Sequence, residues 1–455
     1  MAADSRGDTG PAGETPVPDG QKPPAELPGG NEAGAGLGLP DGSELARPLR
    51  HWLGPVTVDG LTRLSGGASK QTWSFDAVGA DGTRTQLILR RDPPGRPGDP
   101  GAIDREAAAI SLAHDAGLPV PEVLFCSGGP GLGTAGMVMR RVEGETIPRR
   151  ILRDREYRAA RGVLVGQLAQ FAARLHALDV PLFLPEPDPL ASLREQLDSF
   201  GRPSEVFELA LAELERDRPP PRDPVLLHGD FRLGNLVIGN AGLRAVLDWE
   251  LTHAGNPAED LGWLCVKAWR FGAGAPVAGL GSRDELLTAY TEAGGADISL
   301  DELRWWEVLG TLRWGVICLA QASAHLSGAH RSVELAAIGR RVCEQEWDLL
   351  LLLQPEAAAE AAARRPRLPG AAHAEPAPHG RPTASELLEA VREYLLGSVM
   401  PATTGQLAFH ARVAANALAI VARELELGPA PAGTALADTV AARLAVANPG
   451  YFGVP

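Results

Sequence analysis

Lysine is nearly absent from this chain of 455 residues. Lys22, Lys70 and Lys267 are the only three among 43 basic residues. With abundant Ala, Gly and Pro, this reads as a GC-rich coding bias, and it means that a task commonly given to Lys falls to Arg here. Cysteine is scarce as well. Cys126, Cys265, Cys318 and Cys343 lie far apart and form no C-x-x-C pair, so they read as small buried hydrophobes. Positive charge is in deficit, with a formal net charge of −14. That argues against nucleic acid or an anionic membrane surface as the main partner, since both reward a basic face. Long apolar runs are missing too. None, the leucine run Leu349 to Leu353 included, approaches a membrane span, and no basic-then-apolar signal segment opens the chain. A cytoplasmic protein is expected. What is present is ordinary for a globular protein, 44% hydrophobic and 22% charged residues, in a chain long enough for two or three cores.

Composition divides the chain. Residues 1–45 read as a disordered tail, with 9 Gly, 7 Pro and no aromatic in the first 40. From Val56 short alternating segments predict an antiparallel meander: V-T-V-D-G-L-T-R-L, then Trp73, Phe75 and Ala77 alternating with polar residues, then Thr85–Arg90. Ser65-Gly66-Gly67-Ala68-Ser69 forms a glycine-rich turn between the first two strands. A helix is predicted over Ile103–Ala116 and strands near Val123–Cys126 and Met137–Val142. Helices follow near Arg158–Leu178, Leu190–Phe200, Pro203–Glu215, Asp260–Arg270, Arg283–Ala293, Asp301–His325 and Val333–Leu353. The sequence thus divides into a sheet-rich lobe (46–142) and a helical lobe (143–353). Residues 354–382 have the composition of a linker. Thr383 and Glu386 form a capping-box signature opening a small helical domain (383–450), near the lower size limit for folding unaided. Leu387, Leu388, Val391, Tyr394 and Leu395 give its first helix one apolar face, so it is expected to dock on a protein partner or a second copy.

The densest chemistry lies in H-G-D-F-R-L-G-N (His228–Asn235), followed thirteen residues on by Asp248 in V-L-D-W-E. Moving a phosphoryl group to a hydroxyl needs a carboxylate beside the attacking oxygen, hard oxygen ligands for magnesium, a cation on the phosphates and a glycine turn whose backbone approaches them. The chain offers each in a fitting order. Ser65, Gly66, Gly67 and Ser69 lie in the glycine turn. Arg90 is the cation and Glu106 its orienting partner. Asp230 is the candidate base, and Asn235 and Asp248 offer oxygens to the metal.

These segments resemble the aminoglycoside phosphotransferase and choline kinase group of protein-kinase-like folds. So do G-N-P-A-E-D-L-G-W (Gly255–Trp263), G-L-P-V-P-E-V-L (Gly117–Leu124) and L-H-A-L-D (Leu175–Asp179). S-G-G-A-S-K-Q-T-W and L-I-L-R-R-D-P-P-G resemble the branch whose kinase domains are fused to acyl-CoA dehydrogenases. The resemblance covers roughly residues 46–353. It implies an α+β, two-lobed fold, with an antiparallel-sheet N-lobe and a helical C-lobe, to which the small all-α C-terminal domain is added. It implies ATP in the cleft with its adenine near Met139 to Val142, Asp230 as base, Asn235 and Asp248 as magnesium ligands, and Asp260 bracing the catalytic loop. The C-terminal region resembles a helical domain of unknown function that accompanies such enzymes.

The expected function is therefore an ATP- and magnesium-dependent phosphotransferase acting on a hydroxylated small molecule. The alternative is a nucleotide-binding scaffold without turnover, acting through its C-terminal helices. A protein kinase is disfavoured, because G-N-P-A-E-D follows Asp248 too soon for an activation loop. Several readings stay open at this level. Arg91 competes with Arg90, since strand alternation points only one of them inward. Glu106 is either an ion-pair partner or a solvated helix residue, and Lys70 touches either phosphate or solvent. His176 reads as a satisfied core histidine and His228 as a loop anchor. Glu250 is a brace or a metal neighbour. Trp305, Trp306 and Trp314 line core or acceptor pocket, and Arg412 with Asn416 forms a buried pair or a binding spot. Antibiotic, sugar, choline-like and hydroxyacyl thioester acceptors all fit the pattern.

Overall fold

The computed structural model describes residues 42–64, 70–93, 99, 101–127, 132, 134–201, 204–366, 382–429 and 433–453. The glycine turn Ser65–Ser69 and the expected tail up to residue 41 lie outside the described residues. The chain is already helical at Gly42, so the boundary drawn at 45 is too late: α1 (Gly42–Leu53) buries Leu45 and Leu49 completely.

Five strands build the N-lobe sheet: β1 (Val56–Arg63), β2 (Gln71–Gly79), β3 (Arg84–Arg91), β4 (Val123–Ser127) and β5 (Gly136–Arg140). Their order is β1-β2-β3-β5-β4 and every pairing is antiparallel. Side chains alternate across such a sheet, and here the alternation separates two cores. Trp73, Phe75, Leu87, Leu89 and Val138 pack with α1. Ile88, Met137 and Met139 face α2 (Ala102–Asp115) and join the core of the helical lobe. Arg90 shares the face of Ile88 and Arg91 shares the face of Leu89. The last strand ends at Arg140, which leaves Val142 beyond the strand expected to reach it.

The chain enters the C-lobe at Gly144, where a Cβ would lie 2.6 Å from Val237 Cγ1 and 2.9 Å from the Ile238 carbonyl oxygen. Only glycine fits so close a crossing. Helices α3 (Pro148–Arg153), α4 (Arg158–His176), α5 (Pro189–Phe200) and α6 (Glu205–Arg216) precede β6 (Val225–Leu227), and the hairpin of β7 (Leu236–Gly239) and β8 (Gly242–Val246) follows it. Next, β9 (His253–Gly255) pairs with β6. Helices α7 (Ala258–Cys265), α8 (Arg283–Glu292) and the 27-residue α9 (Leu300–Leu326) complete the lobe. The helix expected over Asp260–Arg270 breaks at Val266, whose extended backbone starts a tight turn over Lys267–Arg270. The one expected over Val333–Leu353 divides into α10 (Val333–Gly339) and α11 (Val342–Leu353).

Beyond residue 353 the structure differs most from expectation. The supposed linker begins with α12 (Pro355–Arg364), which buries Ala358 and Ala361 fully. Among the described residues, α13 (Ala384–Tyr394) follows and runs through the π-helical Leu395–Val399 into the single turn α14 (Met400–Ala402), and then come α15 (Gly405–Leu427) and α16 (Leu436–Ala447). The capping box at Thr383 and Glu386 is formed in full. The apolar stripe of α13, however, is not covered: Leu387, Val391 and Tyr394 are 54%, 50% and 61% exposed. Arg412 and Asn416 on α15 are exposed as well, and the Arg412 guanidinium lies over the Phe409 ring. These helices do not share a core of their own. Val440, Ala441 and Leu444 of α16 belong to the C-lobe core, with Trp347 of α11 and Ala358 of α12.

Charge reinforces that attachment. Glu344, Glu346 and Asp348 of α11 are each at most 3% exposed. Asn448 Nδ2 donates to Glu344 at 3.2 Å, Arg443 lies 2.9 Å from Glu346, and the Tyr451 hydroxyl donates to Asp348 at 2.7 Å. Each buried acid is thus matched from the C-terminal segment, as burial of a charge requires.

Candidate active site

The loop after β6 is held by one carboxylate. Asp260, near the N-terminus of α7 and fully buried, accepts the backbone N–H of His228 at 2.8 Å and of Gly229 at 2.9 Å. Burial alone would raise its pKa. The hydrogen bond from His176 and the His228 N–H outweigh that and hold it below the usual carboxylate range. His176 itself is buried between the Tyr290 hydroxyl (2.8 Å) and Asp260 (3.3 Å), as a satisfied core histidine.

His228 anchors the loop from within. Its Nδ1 accepts the Asp230 N–H at 3.1 Å, so Nε2 carries the hydrogen that it directs at the Leu247 carbonyl, 3.0 Å away. Burial keeps the ring pKa low, against the pull of the nearby carboxylates, which suits this neutral tautomer. Gly229 has φ 79°, and a Cβ there would stand 2.1 Å from the Leu251 carbonyl oxygen. The middle residue of H-G-D is therefore fixed by space as well as by backbone conformation.

Three N–H groups orient the Asp230 carboxylate. Asn235 Nδ2 donates at 2.6 Å, Trp263 Nε1 at 2.7 Å, and Arg232 Nε reaches both oxygens at 2.9 and 3.1 Å. The Leu247 N–H donates to the Asn235 carbonyl at 2.8 Å, which brings the next residue, Asp248, beside Asn235. Asp248 adopts φ 69°, a left-handed backbone that costs a residue with a side chain about 1–2 kcal/mol. Strain of that kind is characteristic of working sites.

Arg90 closes the arrangement from the N-lobe. Its Nη2 lies 2.5 Å from Asp248 and 3.1 Å from Glu250. Its Nε is 3.1 Å from Glu106 Oε1, but the two are not aligned for a hydrogen bond, so this contact is an ion pair by charge alone. Burial raises the Glu106 carboxyl to about 7 despite the Arg90 charge. Arg91 points the other way, with Nη1 on the Leu132 carbonyl and Nε on Gln71, each at 3.2 Å. Strand alternation thus turns Arg90, and not Arg91, toward Asp248. Lys70 does not face solvent as one reading expected: its ammonium pairs with Asp92 at 2.6 Å and is largely buried. Met139 is buried in β5, and Val142 is half-buried past the strand's end.

Arg232 was passed over in the sequence reading. Its guanidinium lies 4.6 Å above the Trp269 ring, and Trp269 packs on Trp263 and Trp314 at 5.3 and 4.8 Å between centroids. Of the three tryptophans singled out on α9, Trp314 joins this wall beside Asp230, while Trp305 and Trp306 are buried. In a chain whose basic residues are nearly all Arg, one more Arg carries no signal.

The donor set suits magnesium. Asn235 and Asp248 supply hard oxygens, and that ion commonly takes only one or two protein oxygens and completes its shell with phosphates and water. Among the described residues no cluster of three His, Cys, Asp or Glu would hold a metal by itself.

Residues 60–306 match the model of the phosphotransferase enzyme family, more than half of the chain. The chain belongs to that family. The chain is 28% identical over 329 residues to acyl-CoA dehydrogenase family member 11 of Gallus gallus, covering 65% of this chain and 41% of that protein. The Homo sapiens protein of the same name is 28% identical over 273 residues, covering 54% and 34%. The chain thus spans only about two fifths or less of these relatives' length. A candidate aminoglycoside phosphotransferase from Ralstonia eutropha superposes with a TM-score of 0.54 at 19% identity, over 69% of this chain and 98% of that one, and confirms the two-lobed kinase-like fold. Residues 401–435 match a domain of unknown function. Among the described residues, no helix is long and apolar enough to cross a membrane.

Proposed function

We propose that this phosphotransferase transfers the γ-phosphoryl group of ATP to a hydroxyl of a small molecule, with magnesium as cofactor. The observation that carries this reading is the convergence of Asp230, Asn235 and Asp248 on one side of the cleft with Arg90 reaching them from the other. Asp230 orients the acceptor hydroxyl and takes its proton, its carboxylate held in place by Asn235, Trp263 and Arg232. Asn235 and Asp248 hold the metal, which neutralises charge on the phosphates when bound. Arg90 is the phosphate cation, positioned by Glu106. A permanently charged, forked guanidinium serves there in place of the more usual lysine. Ser65, Gly66, Gly67 and Ser69, outside the described residues, would cover the phosphates, and Met139 and Val142 would flank the adenine. Asp260 and His228 keep the loop in shape.

Calorimetry of ATP and GTP binding, with and without magnesium, tests the nucleotide site. Magnesium-dependent binding that Asp248→Ala weakens at least ten-fold is expected. If neither nucleotide binds, the kinase reading fails.

A further inference from the structure

Beside the turn Lys267–Arg270 lies a cavity of about 360 Å³ that shares no residue with the proposed phosphoryl-transfer centre. This is within the range of small-molecule pockets, roughly 300–1,000 Å³. One wall is cationic: Lys267 and Arg270 of the turn after α7, and Arg283 of α8. Lys267 lies 3.3 Å from Asp348, while Arg270 and Arg283 share Glu307 at 2.9 and 2.7 Å. Among the described residues of the lining, three cations therefore face two acids. All but Arg283 keep their side chains at least nine-tenths buried. A positive surplus in so sheltered a place is costly unless an anion joins it. The surplus grows when Asp348 is protonated, and burial raises that carboxyl to about 6.

The remaining lining comes from the end of α11, from α12 and from the C-terminal turn. Leu351, Leu352, Ala358, Ala362 and Phe452 offer hydrocarbon and no polar side-chain atom. Thr311, the one hydroxyl in the lining, donates to the Glu307 carbonyl on its own helix. Trp347 adds an aromatic face, and apart from the charged head groups the lining is mainly apolar. We propose that this cavity binds a small amphipathic carboxylate, its head on Arg283 and Lys267 and its hydrocarbon chain along α12 and Phe452. Lys267 also begins the turn that carries Trp269, the ring beneath Arg232. An occupant would therefore sit two residues of chain from the wall of the phosphoryl-transfer centre.

The test is calorimetry of the full-length protein with octanoate, octan-1-ol and acetate. Octanoate is expected to bind at one site, with the other two at least ten-fold weaker. Arg283→Met is expected to weaken octanoate about ten-fold, the worth of one charge-assisted hydrogen bond. Glu307 keeps Arg270 as partner in that variant, so the fold is retained. Ala362→Phe, at a half-buried position, fills the cavity and is expected to abolish binding while circular dichroism stays that of the wild type. Octan-1-ol binding as well as octanoate, an unchanged affinity in Ala362→Phe, or no heat at millimolar octanoate would each overturn the proposal.

Discussion

Two groups of three buried or half-buried acids organise the C-lobe, and they are satisfied in opposite ways. Asp230, Asp248 and Asp260 are spread over one loop, a hairpin and a helix start; Asp230 and Asp260 are matched mostly by groups of that same stretch, backbone N–H groups, Asn235, Trp263 and Arg232, while Asp248 takes Arg90 from the N-lobe. Glu344, Glu346 and Asp348 sit on one helix and are matched mostly from afar, by Asn448, Arg443 and Tyr451 about a hundred residues on and by Ser204 and Lys267, with Arg341 a nearby partner of Glu344. The first arrangement is mostly local and leaves oxygens able to take ligands. The second is mostly long-range and locks a C-terminal segment onto the lobe. Burial of carboxylates alone therefore does not mark a catalytic centre. What marks it is the neighbours, together with the strained backbone of Asp248.

The comparison breaks most visibly at Asp230. Asp230→Asn is expected to retain nucleotide binding and lose about 10²–10⁴-fold in turnover, measured as labelled-phosphate transfer into a metabolite extract. Unchanged turnover would remove its assigned role. In the other group, Tyr451→Phe and Arg443→Met are expected to cost about 1–3 kcal/mol of stability each, since each strips a partner from a buried carboxylate. Urea denaturation should show that loss with ATP affinity intact.

A smaller effect separates the groups by pH. The Asp348 and Glu106 carboxyls are raised, to about 6 and about 7, chiefly by burial. A raised carboxyl makes the folded state hold a proton that the unfolded chain has released. Stability is then fullest below the unfolded values and falls as pH climbs through 6 and 7. Thermal midpoints taken from pH 4 to 8 should show that decline levelling off above about 7, with Asp348→Asn removing the share that ends near 6 and Glu106→Gln the share that extends to about 7. At the bottom of the scale, Leu387→Ser and Val391→Ser on the exposed stripe of α13 should change stability by no more than about 0.5 kcal/mol. A larger loss would show that the stripe is covered in solution.

Much of the sheet, the helical lobe and the centre around Asp230 was legible because its signals are local. Strand alternation, the caps and the D-x-x-x-x-N spacing all act over a few residues. Arg90 and Arg91 could not be ranked until the sheet's two faces were assigned to different cores. Arg232 was hidden by the uniformity of basic residues. Helix α12 passed for a linker because alanine buries little surface and so leaves a faint periodic pattern, yet Ala358 and Ala361 are fully enclosed. The stripe on α13 made the opposite error easy, since apolar spacing shows that a face is fit for burial but not that anything covers it. The pairing of α11 with Tyr451 links positions 103 residues apart, beyond the reach of any short motif.

The fastening of the C-terminal segment has a practical side for anyone dissecting the chain. A truncation placed at residue 353, where a kinase lobe would be expected to finish, would strip α12 and α16 from the face of Trp347 and leave Glu346 and Asp348 without Arg443 and Tyr451. Such a fragment would present a sticky, half-charged scar to its neighbours in the test tube. Its insolubility would speak of where the cut was made, not of whether the enzyme works.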